Sequence, residues 1–246
     1  MDENMFLFVV VGIIAQLIDG ALGMAYGVTS TSFLLSIGIG PAAASASVHT
    51  AEIFTTLASG LSHLRFGNID KKLVSRLLIP GVIGGILGAY ILTTLPSKTI
   101  KPLVAVYLVI MGFMILRRAF KKIQEIEVRT KLLPLGLAGG FFDAIGGGGW
   151  GPIVTSTLVA RGHNPRFAIG SVNLAEFFVT VAEAATFFTL LGLVHWRIIV
   201  GLMVGGVLAA PFAAYVCKRV PSRGLMIAVG ALIVLLSVRT IYLTLR

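Results

Sequence analysis

Apolar runs cover almost the whole of this 246-residue chain, at about residues 5 to 39, 42 to 64, 73 to 95, 100 to 116, 132 to 160, 167 to 194, 198 to 217 and 224 to 245. Most approach or exceed the ~20 residues a helix needs to span a bilayer. Hydrocarbon offers the backbone no hydrogen-bond partners, so runs of this kind fold as helices that satisfy their own N–H and C=O groups. The composition agrees: 57% hydrophobic and 12% charged residues, against roughly 45–50% and ~25% in a soluble domain. The expected fold is therefore an all-α polytopic membrane protein with no separate soluble domain.

The formal charge of +10 would point to nucleic acid in a soluble protein. Here the basic residues sit in short loops beside the spans, which is the positive-inside pattern, and no nucleic-acid partner is expected. The N-terminus has an acidic start and no A-x-A site before the apolar run continues, so no cleaved signal peptide is expected. The single Cys217 forms no internal disulfide, and no Cys/His cluster has zinc spacing. Neither a cofactor nor a metal is expected from these patterns.

The chain is internally duplicated. Shifted by 124 positions, Ala15 to Leu64 aligns without a gap on Gly139 to Phe188 with 16 identities in 50. They include Asp19/Asp143, Gly23/Gly147, Gly27/Gly151, Thr31/Thr155, Ser32/Ser156, Pro41/Pro165 and Glu52/Glu176, so apolar bias alone does not explain them. One more residue of shift brings Tyr90 onto Tyr215 and Pro96-Ser97 onto Pro221-Ser222. We read residues 1–124 as one membrane repeat and 125–246 as a second, joined by the charged linker at about 117–131.

Each copy carries a glycine break inside an apolar run of about 30 to 35 residues: DGALGMAYGV at 19–28 and DAIGGGGWGP at 143–152. As one helix such a run would be ~50 Å long at 1.5 Å per residue, well beyond a hydrocarbon core of ~30 Å. Two half-helices meeting at a non-helical glycine turn fit better, provided the opened backbone is buried in protein or lines a wet cavity. If each broken segment is a hairpin returning to its own side, with the N-terminus outside, 15 basic residues fall inside and five outside; single crossings give 13 against seven. The expected architecture is a broken hairpin plus three transmembrane helices in each copy, the two copies inverted, as recurs in secondary transporters.

A half-helix that starts at membrane depth points its free N–H groups and positive dipole end inward, where an anion is favoured. The candidate binding residues are Gly23, Gly27, Thr29, Ser30, Thr31 and Ser32 in copy one, and Gly147, Gly148, Gly149, Gly151, Thr155, Ser156 and Thr157 in copy two. The competing role for these hydroxyls is capping and bonding to the carbonyl four residues back. Trp150, matched by Tyr26, either packs over the glycine backbone or lids the ligand. The formal G-x-G-x-x-G in GGGGWG has neither a preceding strand nor a ribose-binding acid, so a dinucleotide is not expected.

Four acids lie at membrane depth as matched pairs, Asp19 with Asp143 and Glu52 with Glu176, and Glu183 lies beyond the last. Intramembrane acids are costly and mark function or internal pairing. Asp19 and Asp143 either brace the turns or carry a coupling proton. Glu52 and Glu176, with His49 and its counterpart Asn173, are placed beside the site on the next helix. His63, His163 and His195 fall near span ends.

The early D-G-x-x-G-x-x-x-G with its hydroxyl-rich run, the segment around Ser47 to Glu52, its echo G-S-V-N-L-A-E at 170–176, and G-G-G-G-W-G-P together resemble the TauE/SafE family over both copies. The resemblance implies a multi-pass inner-membrane transporter, often an exporter or permease for sulfite, thiosulfate, sulfoacetate or related sulfur anions. The first turn, G-A-L-G-M-A-Y-G, is less glycine-rich than the second. The sequence reading is thus a secondary transporter of a small anion, sulfur-containing, working by alternating access, with a proton or other ion as coupling partner and a homo-oligomer open. The rival is a passive anion or small-solute channel. No nucleophile–base–orienter set and no H-E-x-x-H points to an enzyme.

Overall fold

The computed structural model describes residues 5–22, 24–120, 130–193, 195–219 and 222–244. Gly23, most of the charged linker and the terminal Arg246 lie outside them. Every regular element among the described residues is a helix. In copy one these are α1 (Met5–Leu22), α2 (Tyr26–Ser36), α3 (Pro41–Arg65), α4 (Lys71–Thr94) and α5 (Ser97–Arg118). In copy two they are α6 (Leu132–Gly146), a π-helical turn Gly151–Thr155 running into α7 (Ser156–Ala160), α8 (Pro165–Leu191), α9 (Trp196–Arg219) and α10 (Ser222–Thr244).

Both glycine-marked runs are broken. The second halves are short: α2 has 11 residues, and the π turn with α7 has five and five. At 1.5 Å per residue neither exceeds about 17 Å, half a bilayer core. By contrast α4, α5, α8 and Met226–Thr244 of α10 are long and apolar enough to cross a membrane.

The two copies end their second half-helices in the same way. Gly38 (φ 101°) and Gly162 (φ 83°) take left-handed backbone one residue past the cap. The Gly38 and Gly162 N–H groups donate to Leu35 and Val159, and the Ile39 and His163 N–H groups donate to Leu34 and Leu158. This is a Schellman stop, which glycine makes without Cβ strain. Pro41 and Pro165 then open α3 and α8 at the first helical turn, where a missing N–H costs nothing.

Helix pairing is likewise unchanged when the copies are exchanged. The helix α1 packs along α9, and α6 along α4; α5 lies on α10 and α3 on α8; α4 also meets α8, and α9 meets α3. Small residues allow these close approaches. A Cβ on Gly12 would press on the Leu202 backbone, and one on Gly136 would press on Leu77 and Pro80. On one side of the molecule the Arg166 guanidinium donates to the Phe66 carbonyl at 3.0 Å, and Thr130 Oγ1 lies 3.3 Å from His163 Nε2. The start of α6, the end of α7 and the α3–α4 loop are therefore neighbours.

The outer surface is apolar, with Phe6, Phe66, Ile79, Phe113, Phe188, Phe212 and Leu235 all exposed, whereas the interior carries Gln16, His49, Glu52, Asp143, Asn173 and Glu183, all buried. Apolar outside and polar inside is the arrangement of a bundle dissolved in lipid.

Candidate functional site at the meeting of the two breaks

The two breaks touch. A Cβ on Gly27 would stand 2.6 Å from the Gly148 Cα and 2.8 Å from the Gly147 carbonyl. Gly147 (φ 63°) and Gly148 (φ 143°) hold left-handed backbone that other residues rarely adopt. Thr31 Oγ1 donates across the contact to the Gly147 carbonyl at 2.6 Å. Two polypeptide turns 120 residues apart thus meet backbone to backbone in the centre of the bundle.

Each turn is held by its own aspartate. Asp143 Oδ1 accepts from the Gly149 and Trp150 N–H groups at 2.6 and 2.9 Å. Asp19 Oδ1 accepts from the Tyr26 N–H at 3.4 Å, at the matched position. A carboxylate accepting the first free N–H groups of a helix also faces its positive dipole end. In copy two the acid therefore takes N–H groups that the sequence reading leaves for an anion. In copy one the non-glycine Ala25 sits at φ 96°, where copy two has Gly149.

The hydroxyls of the second half-helices are buried. Thr29, Ser30 and Ser32 on α2, and Thr155 on the π turn, have hydroxyl oxygens with no hydrogen-bond partner. Thr29 and Ser30 lie in or beside the first turn of α2, Ser32 in the second, and Thr155 ends the π turn; the Thr29 N–H already donates to the Ala25 carbonyl. Ser156 accepts from the Arg118 guanidinium at 2.6 Å, which brings a full positive charge from α5 onto α7. In the sequence Arg118 is one of the 15 basic residues assigned to the inside, with no link to either break. Tyr107, whose hydroxyl donates to the Gly148 carbonyl at 3.3 Å, is not marked there either. Nothing in linear spacing links either residue to a turn some 40 positions away.

The aromatic pair is built into packing. The Trp150 indole N–H donates to the Val172 carbonyl at 3.1 Å, and its ring fills the space a Cβ on Gly81 would occupy. Tyr26 donates to the Leu202 carbonyl at 3.0 Å and its ring lies against Gly206. Gly151 and Thr157 continue the second half-helix, Gly151 buried and Thr157 half-buried.

Of the acids on the flanking helices, Glu52 on α3 brings Oε1 to the first break, 3.2 Å from where a Gly27 Cβ would stand. Glu176 on α8 is half-buried. The Thr56 and Thr180 hydroxyls donate to the Glu52 and Glu176 carbonyls, again at matched positions. The other flanking pair is unlike. Asn173 turns its amide onto the Ile169 carbonyl at 3.0 Å in its own helix. His49 instead points Nε2 at Glu183 Oε2, 2.9 Å away, with Asp143 Oδ2 at 3.6 Å. In the sequence Glu183 lies beyond the paired acids and has no matched acid in the other copy.

Comparison with known proteins bears on this arrangement as a whole. The chain is 45% identical over 249 residues to the probable membrane transporter protein YtnM of Bacillus subtilis (strain 168), covering 97% of this chain and 83% of that one. No solved structure matches it. The family model for the sulfite exporter TauE/SafE matches residues 8–240, which include both breaks and all their flanking acids. A multi-pass membrane protein whose two opened turns meet at its centre, this chain belongs to the TauE/SafE family.

Proposed function

We propose that this membrane transporter moves a small anion, sulfur-containing such as sulfite, thiosulfate or an organosulfonate, as a secondary transporter with alternating access. The observation that carries the proposal is the meeting of Gly27 with Gly147–Gly148, flanked by the unpartnered hydroxyls of Thr29, Ser30, Ser32 and Thr155. Buried hydroxyls without partners are rare in a folded interior, and neutral donors hold an oxyanion without binding it irreversibly. Arg118 adds attraction on the α7 side. Residues 1–124 and 125–246 act as two repeats, inverted with respect to each other. The exchange-invariant helix pairing and the neighbouring ends of α6 and α7 support that reading. Glu52 and Glu176 carry the coupling proton, while Asp19 and Asp143 brace the turns.

The test is flux of radiolabelled sulfite, thiosulfate, sulfoacetate and sulfate into proteoliposomes with and without a pH gradient. Wild type should accumulate one sulfur anion against its gradient, and Glu52→Gln with Glu176→Gln should only equilibrate it. Alanine at Thr29, Ser30, Ser32 and Thr155 should raise the half-saturating concentration. Wild-type flux that equilibrates under every gradient would mean a channel, and unchanged flux in the alanine series would remove the hydroxyls from the site.

A further inference from the structure

The contact between His49, Asp143 and Glu183 is not used by any step above. The three side chains come from α3, α6 and α8, are each at most 2% exposed, and present ligand atoms no more than 4.8 Å apart. His49 Nδ1 lies 2.8 Å from the Ser45 carbonyl. A carbonyl only accepts, so Nδ1 carries a hydrogen, and Nε2, which faces the two carboxylates, is the nitrogen left to hold either a proton or a metal ion. Beyond this mutual contact, His49 Nε2, Asp143 Oδ2 and both Glu183 oxygens have no hydrogen-bond partner. Two buried carboxylates facing one imidazole need a positive charge among them, which a proton supplies singly and a divalent ion supplies in full.

The geometry points to a binding site for one divalent transition-metal ion held by His49 Nε2, Asp143 Oδ2 and a Glu183 carboxylate oxygen. Metal bonds of about 2.1 Å place neighbouring ligand atoms about 3.0 Å apart in an octahedron and about 3.4 Å in a tetrahedron. The observed 2.9 and 3.6 Å separations bracket those edges. A neutral imidazole with two carboxylates balances a 2+ ion. One nitrogen with two oxygens suits zinc, manganese, iron or cobalt better than calcium or magnesium, which take oxygen alone.

The surroundings hold each ligand in place, as second-sphere groups do at metal centres. The Ser45 carbonyl fixes the imidazole, and the Ser45 hydroxyl donates to the Ala144 carbonyl at 2.6 Å. Two N–H bonds to Oδ1 of Asp143 leave Oδ2 directed at the histidine. Gly85 on α4 makes room for Glu183, since a Cβ there would stand 2.5 Å from Oε1. The positions matched to Asp143, Glu183 and His49 in the opposite copies are Asp19, Ser59 and Asn173, a set without a second carboxylate or an imidazole. One ion per chain follows. This site was invisible to a search for ligand spacing, because its members span 134 positions.

The inference is independent of which solute crosses the membrane, and its test is binding. The full chain, purified in detergent, stripped with chelator and re-equilibrated with Zn²⁺, Mn²⁺ or Co²⁺, is desalted and assayed by elemental analysis. Wild type should retain close to one equivalent of at least one metal. His49→Gln and Glu183→Gln should each retain at least tenfold less, with Glu176→Gln unchanged. Cobalt in wild type should give a visible absorption band that both ligand variants lose. Elution as a single species shows that a variant is folded; if His49→Gln fails that check, Glu183→Gln, equal in size to the native side chain, decides alone. Wild-type retention below a tenth of an equivalent for all three metals, or equal retention in the ligand variants, overturns the site.

Discussion

Asp143 divides its two oxygens between two tasks: Oδ1 holds the Gly149 and Trp150 N–H groups, and Oδ2 faces His49. Replacing it by alanine leaves two buried N–H groups unpaired, at roughly 1–3 kcal/mol each. Asparagine keeps an accepting oxygen for both. Asp143→Ala should therefore lower the melting temperature in detergent by several degrees more than Asp143→Asn does. Ala25 offers the opposite test. Glycine there removes about 1 kcal/mol or more of left-handed strain and adds roughly 0.4–1 kcal/mol of unfolded-state entropy. Ala25→Gly should be close to neutral in thermal melting, whereas Gly148→Ala, whose Cβ would overlap Gly27 and Val28, should abolish stable folding. At this scale the sequence was informative where residues repeat. Matched acids, glycines and hydroxyls marked both turns, but the His49–Glu183 contact has no repeat partner and no spacing rule, so only folding brings it together.

The short second half-helices are the elements whose role depends most on their neighbours. With about three turns each, α2 and the π turn with α7 are held by tertiary contact more than by their own hydrogen bonds. Arg118 reaches from α5 to Ser156 on α7. Arg118→Gln should keep the fold but raise the half-saturating anion concentration about tenfold or more, read in proteoliposome flux at fixed ionic strength. Packing of α4 on α6 is closer still, since a Cβ on Gly140 would strike the Gly81 carbonyl, and backbone cannot give way as a side chain does. Gly140→Val should cost more stability than any single hydroxyl removal, measured by unfolding in detergent. The existence and approximate centre of both broken helices could be read from run length and glycine content. That α2 starts at Tyr26, so that its hydroxyls lie inside the helix, could not, because the start is set by the Asp19 contact across the turn.

For the whole molecule, the apolar runs of the sequence marked an all-helical membrane protein and left the pairing of the helices open. The two copies are interleaved, with α1 on α9 and α6 on α4, so each broken segment rests on the other copy. The proposed inversion makes a concrete expectation in a background where Cys217 is replaced. Single cysteines at Lys71 and Arg161 should react with a membrane-impermeant thiol reagent only from the cytoplasmic face, and those at Lys98 and Arg197 only from the other. Labelling of all four from one face would refute the inverted arrangement. The contact between Gly27 and Gly148 also bears on leak. Main chain meets main chain at that point, with the Thr31 hydroxyl bonded across it to the Gly147 carbonyl, so a single rotamer change does not part the two stretches. Under the proposed alternating access, opening there would require whole helices to separate, an event of microseconds to milliseconds, with a seal between openings as tight as two stretches of main chain can make it.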